Sequence, residues 1–294
     1  MIKVHFAGIN SRDLAAHTKG QDALVSYADL RSPGCWAWIH PLIEGGHFRS
    51  VILDSGAFTV YAKRMREIAK GMDAVEAERR FPDISIDAYA AFVAEHGCHF
   101  DWITNMDDIG GKTEKSNANF EILNEVSNRI VPVWHEGEGD EQLRTVIAQA
   151  RANSDRLAVG MQRPKGSLVP RNVVACLTDV MPKIRTWAPE VAVHGFGLTR
   201  YASAATCPCG GSGWAFESVD STTWIAEGCA VERSGAAGGR GIAPRATAFR
   251  ATVDSYHGVD FIGGSDFGPR HGDRIDIAVA IEAGGQAKTV ASRF

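Results

Sequence analysis

Two short β-type runs of this chain end on a carboxylate. The stretch "SVILDSGAFT" passes from Val51, Ile52 and Leu53 into Asp54 and turns through Ser55 and Gly56, while "ESVDSTTW" reaches Asp220 before Ser221. Other runs also end on polar or small groups: Asp107 and Asp108 in "FDWITNMDD", His135 and Glu136 in "RIVPVWHE", Gly160 and Met161 in "RLAVGM", His194 and Gly195 in "EVAVHGFG". A single acid at a strand end commonly caps the helix that follows, but acids and histidines at successive ends point to a shared pocket. Metal-dependent hydrolysis finds little support, because no His-x-His occurs and "HEGEGDE" is not His-Glu-x-x-His. Carboxylates with separate roles also suit glycosyl transfer, one attacking an anomeric carbon and one moving protons, with no cofactor required.

Such ends meet only if the runs are neighbouring strands. β-rich runs are legible at 2–8, 50–55, 100–108, 129–136, 156–161, 190–197 and 217–221, with helical patterns between them. In "SIDAYAAFVAEHG", 85–97, Ala88, Phe92 and Val93 keep one face apolar, Ser85 or Asp87 offers a cap and Gly97 a stop; "DEQLRTVIAQARAN", 140–153, is a second helix. Alternating strands and helices predict parallel pairing through right-handed crossovers, and the number of units in this length suits an α/β fold of the (β/α)8 TIM-barrel type. The eighth strand is best assigned to "VDFIGGSD", 259–266. A doubly wound open sheet is the competitor, without the GxGxxG or GxxxxGK[ST] signature of its common nucleotide-binding forms. Residues 1–294 read as one barrel domain with a Gly/Arg-rich loop insertion near 232–250. In a barrel the strand ends carry the chemistry.

The 294 residues are 45% hydrophobic and 22% charged, enough for a sizeable core, and no run of apolar residues is long enough for a membrane span. The polar N-terminal stretch lacks a secretory pattern, so a cytoplasmic location is expected. The net charge of −4 does not by itself advertise nucleic-acid binding. Two windows without an acid are nevertheless basic: 156–178, with Arg163 and Lys165, and 233–253, with Arg240 and Arg245. Ordinary surface loops would look the same. The six cysteines form no regular framework, so reduced thiols are expected; Cys207 and Cys209 could supply half of a zinc site, but no second pair completes it.

In order along the chain, "DSGAF" (54–58), "NMDD" (105–108), "PVWHEG" (132–137), "LAVGM" (157–161), "HGFGLT" (194–199) and "SVDSTTW" (218–224) resemble the motifs of the tRNA-guanine transglycosylase superfamily. The short "VDST-W" form resembles the DNA-guanine transglycosylase branch, found in phages and bacterial DNA-modification clusters, which inserts 7-deazaguanines such as 7-cyano-7-deazaguanine into DNA. The resemblance implies a pentosyltransferase in which Asp220 is the nucleophile, Asp54 manages protons and Asp107 reads the guanine edge. It also implies that Phe58 and His194 hold the base between them, and that His135, Gly160, Met161 and Gly195 line its pocket. DNA is then the polymeric partner, and Arg163, Lys165, Arg240 and Arg245 acquire a phosphate-binding role. Two departures stand out. Ala57 replaces the second glycine of the family's "DSGG", and only Cys229 lies beyond Asp220, so the tRNA enzymes' zinc motif is missing after the nucleophile and DNA is favoured over tRNA.

Overall fold

A computed structural model describes residues 3–109, 113–161, 173–198 and 216–221, together with the backbone of 277–283 and 286–292. Contacts divide the chain into one unit over Met1–Phe261 and another over Ile262–Phe294. In the first, all paired strands run parallel. They are β1 (Lys3–Ala7), β2 (Asp22–Ser26), β3 (Ser50–Asp54), β4 (Trp102–Thr104), β5 (Ile130–Val131), β6 (Val133–His135), β7 (Arg156–Gly160), β8 (Ala192–Phe196) and β9 (Ser218–Ser221).

The sheet order β5-β4-β3-β2-β1-β9-β8-β7-β6 brings the two ends together at Pro132. Proline carries no N–H for a ladder, so it interrupts a single stave, of which β5 and β6 are the halves. The Pro132 carbonyl still accepts from the Ala158 N–H at 2.9 Å. Counted this way the sheet closes into eight staves, the (β/α)8 barrel expected from the alternation of elements. Its wall differs from the expectation in one stave. The strand at 22–26 escapes a pattern search because its apolar centre is only Ala23, Leu24 and Val25, and the helix before it, α1 (Arg12–His17), has six residues. With it, β9 closes the barrel against β1, and the assignment at 259–266 falls outside the described residues.

The period of two along each strand separates two layers. Inward-facing Ala7, Leu24, Ile52, Trp102, Val131, Val133 and Ala158 fill the barrel, with Phe196 packed against them. Outward-facing Phe6, Val25, Leu53, Ile103 and Ile130 meet the helices of one half, and Leu157, Val159, Val193 and Val219 those of the other. The enclosing helices after β2 are α2 (Tyr27–Leu30), α3 (Pro33–Glu44), α4 (Ala57–Ala69), α5 (Ala74–Arg80), α6 (Ile86–His96), α7 (Thr113–Asn124), α8 (Gly139–Ala152) and α9 (Val173–Trp187). In α6 the Ser85 hydroxyl caps the Ala88 N–H, as expected, but the buried face is Tyr89, Ala90 and Val93, and Ala88 is exposed. Helix α8 buries Leu143, Val146, Ile147 and Ala150, spaced i, i+3, i+4, i+7.

The second unit contains an antiparallel hairpin of β10 (Ile277–Ala283) and β11 (Gln286–Ser292), in register from Ile277–Ser292 to Ala283–Gln286. The Gly/Arg-rich tract at 232–250 lies outside the described residues. Among the described residues, no helix is long and apolar enough to cross a membrane.

Candidate active site

Strand parity decides what faces the mouth. Asp54 is two residues beyond inward Ile52, His135 two beyond Val133, Phe196 two beyond His194 and Asp220 two beyond Ser218. Because all the strands run the same way, these side chains gather at one end, the C-terminal mouth.

Asp54 is held by its own turn. Its Oδ2 accepts from the Gly56 N–H at 3.0 Å, and the Ser55 N–H donates to Thr104 Oγ1 at 2.9 Å. Gly56 has φ 78°, and a Cβ there would lie 2.5 Å from Ala28 Cβ, so both the backbone and the space demand glycine. Ala57 begins α4 with no such demand, since Asp155 is the non-glycine residue with positive φ among those described. Burial, then the negative charge of Asp220, pushes the Asp54 carboxyl up to about 7, against the opposing Gly56 hydrogen bond; Asp107 adds a smaller push in the same direction. Asp54 therefore feels both of the other carboxylates across the mouth.

Asp220 Oδ1 accepts from the Gly197 N–H at 2.9 Å and lies 3.4 Å from His194 Nε2. Asp107 sits on the loop after β4. Its Oδ2 is 3.0 Å from His135 Nε2, and its Oδ1 accepts from Asn105 Nδ2 at 3.3 Å. Burial opposes charge on His135, but the Asp107 hydrogen bond and charge, with Glu138, hold its pKa above the ordinary range. Burial likewise raises Asp107, opposed by its pairing with His135. Both groups thus favour keeping a proton between them.

The loop carrying Asp107 is tied to α7. Asn105 donates to the Ser116 carbonyl at 2.9 Å, the Asp108 N–H to Ser116 Oγ at 2.9 Å, and Asn119 to the Met106 carbonyl at 2.7 Å. These anchors have no catalytic look in sequence, and nothing there distinguishes them from surface polar residues of a helix. Glu138, whose Oε2 accepts from the His135 N–H at 2.8 Å, was equally silent. Phe196 and Ser218 were within reach of a parity argument, lying two residues from His194 and Asp220.

Several expected base contacts are positioned differently. The His194 ring is enclosed at 3% exposure, below Phe196, with Nδ1 2.9 Å from Ser218 Oγ and its edge against Trp102 at 4.9 Å. It supports Asp220 and presents no open face to a base. Phe58, in the first turn of α4, is 49% exposed and free to stack. Met161 is buried in the barrel–helix layer among α8 and α9 residues, and Gly195 faces outward, where a Cβ would lie 3.1 Å from both Leu198 and Phe216. Gly160 does reach the site, as empty space: a Cβ there would stand 2.6 Å from His135 Nδ1. Arg163, Lys165, Arg240, Arg245, Cys207 and Cys209 lie outside the described residues. Arg156, which opens the first basic window, is at the other end of the barrel, 2.7 Å from Glu217.

No protein-family model and no curated protein matches the chain. Solved structures do resemble it. A protein named as a fructose-1,6-biphosphate aldolase from Coccidioides immitis is 12% identical, with 86% of this chain and 87% of that one covered and a TM-score of 0.49. The YdjI aldolase of Escherichia coli K12 is 10% identical over 87% of this chain and 88% of its own, at 0.46. The carboxyl transferase domain of Rhizobium etli pyruvate carboxylase is 11% identical over 87% of this chain and 48% of that one, at 0.44. None of the three is named as a transglycosylase, and likeness at this level speaks neither to reaction nor to substrate.

Proposed function

We propose that this chain is a base-exchange enzyme that replaces guanine in DNA with a 7-deazaguanine. The observation that carries the reading is the pairing of two aspartates at one barrel mouth, one of which, Asp54, is pushed up to about 7 by burial and by the other, Asp220. Two carboxyl groups in unequal environments can divide acid and nucleophile roles. The order of the six motifs supplies the substrate class.

In this reading the Asp220 carboxylate attacks C1′ of the target nucleotide as the C1′–N9 bond breaks. The bonding pair leaves with guanine, and Asp54 delivers the proton that neutralises the departing base. Asp54, now ionised, takes a proton from the incoming deazaguanine, whose ring nitrogen attacks C1′ and displaces Asp220. Two displacements leave the sugar configuration unchanged, and no energy source is consumed. Asp107 accepts hydrogen bonds from the Watson–Crick edge of guanine, held in place by His135. Phe58 offers a stacking face, and a duplex guanine must first be unstacked at a cost of a few kcal/mol.

The test is incubation of the protein with radiolabelled 7-cyano-7-deazaguanine and either duplex DNA or bulk tRNA. Label in DNA is expected; label in tRNA alone would move the substrate to tRNA, and label in neither would overturn base exchange.

A further inference from the structure

At the opposite end of the barrel from the mouth, α3 runs into the start of β3, and the 3-10 turn Gly97–His99 runs into the start of β4. His40 and Glu44 are four residues apart on α3, so they share a helix face. His99 meets them from the turn. His40 Nε2 lies 3.3 Å from His99 Nε2 and 3.4 Å from Glu44 Oε1, and His99 Nδ1 lies 3.9 Å from Glu44 Oε1. Ligand atoms of all three fall within 4.8 Å of one another.

We propose that His40, Glu44 and His99 form a zinc site that staples α3 to the connection between α6 and β4. Zinc–nitrogen and zinc–oxygen bonds of about 2.0–2.2 Å at a tetrahedral angle separate neighbouring ligand atoms by roughly 3.3–3.5 Å. The two separations involving His40 Nε2 match that edge, and one ligand atom from each of the three residues lies within 4.8 Å of the other two. Two imidazoles and one carboxylate suit zinc and disfavour magnesium or calcium, which prefer all-oxygen shells. The His40 ring is also braced: Trp36 stacks on it at 4.5 Å and 26°, so little ordering of that ligand remains to be done when an ion binds. Glu44 is 52% exposed, which leaves water access to a fourth position.

The competing account is a hydrogen-bonded histidine pair beside a surface glutamate, with no ion. Zinc titration of the EDTA-stripped full chain by calorimetry at pH 7.5 separates the two. One ion per chain is expected, with affinity falling at least about 100-fold in His99→Ala and at least about tenfold in Glu44→Gln, a half-exposed position where folding is not at stake, since loss of a ligand costs no less than loss of its outer-shell partner. A Cys207→Ser/Cys209→Ser variant should bind as the parent does. Cobalt(II) should give the intense visible absorption of a tetrahedral site, lost in His40→Ala. No zinc binding by the stripped parent, or unchanged binding in both Glu44→Gln and His99→Ala, would overturn the site. The outcome is independent of base exchange, since none of the three residues belongs to the mouth.

Discussion

The two ends of the barrel treat charge in opposite ways. At the foot, two acids are matched by cations: Asp22, 1% exposed, receives a two-pronged Arg49 guanidinium, and Glu217 receives Arg156 at 2.7 Å and Lys3 at 3.8 Å. At the mouth, Asp54, Asp107 and Asp220 crowd together with histidines and backbone N–H groups as their partners. Paired buried charge fixes a structure, because removing one partner strands the other. Crowded like charge stores repulsion and raises carboxyl pKa values, which weakens the fold and prepares a site for proton transfer. The foot serves stability and the mouth gives some of it up.

The largest expected effect breaks the mouth. Asp220→Asn keeps the Gly197 hydrogen bond acceptor but removes the proposed nucleophile, so the proposed base exchange should fall by about 10³-fold or more with melting temperature unchanged or raised. Nucleoside mass spectrometry of treated DNA measures it, and retained exchange would remove Asp220 from the mechanism. At the foot, Arg49→Ala should do the reverse. It leaves Asp22 buried without its fork and should cost about 2–3 kcal/mol, read by urea unfolding, with turnover per folded molecule preserved; the estimate is set below the fully buried case because Arg49 is 55% exposed.

The smallest effect sharpens the contrast through pH. A carboxyl raised to about 7 in the folded state contributes stability below the ordinary carboxylate range and loses it as pH rises through about 7. Asp54→Asn should therefore be more stable than the parent above pH 7, by on the order of 2 kcal/mol once its partly exposed edge is allowed for, and the gain should vanish near pH 4. The same variant should lose exchange at every pH. A stability difference that does not change with pH would mean that Asp54 is not under the strain described.

Much of this architecture was legible because it depends on local chemistry. The alternation of β runs with amphipathic segments such as 85–97 requires parallel strands with helices outside, and a run like Val51-Ile52-Leu53 that stops on Asp54 and a glycine marks a strand end and a turn. The carboxylates at 54, 107 and 220 could be singled out from their positions at such ends. The strand at 22–26 could not, since three apolar residues give no periodicity and its identity comes from pairing with β1 and β3 on either side. Nor could the roles of equivalent-looking neighbours be separated. Met161 and Gly195 stand within a residue of strand ends as His135 and Asp220 do, yet face the helices, because a shift of one residue reverses the side of the wall to which a side chain points.

By itself, then, the sequence determined the order and type of the elements and which residue types stand at their ends, since propensity, turn chemistry and period act over a few neighbouring residues. Only the closed barrel decided that Asp54 and Asp220, far apart along the chain, repel each other, that His194 lies beneath the mouth as a support, and that His40, Glu44 and His99 meet at the other end. Those facts depend on strand register and ring closure, which bring distant segments within a few ångströms and which no local pattern encodes.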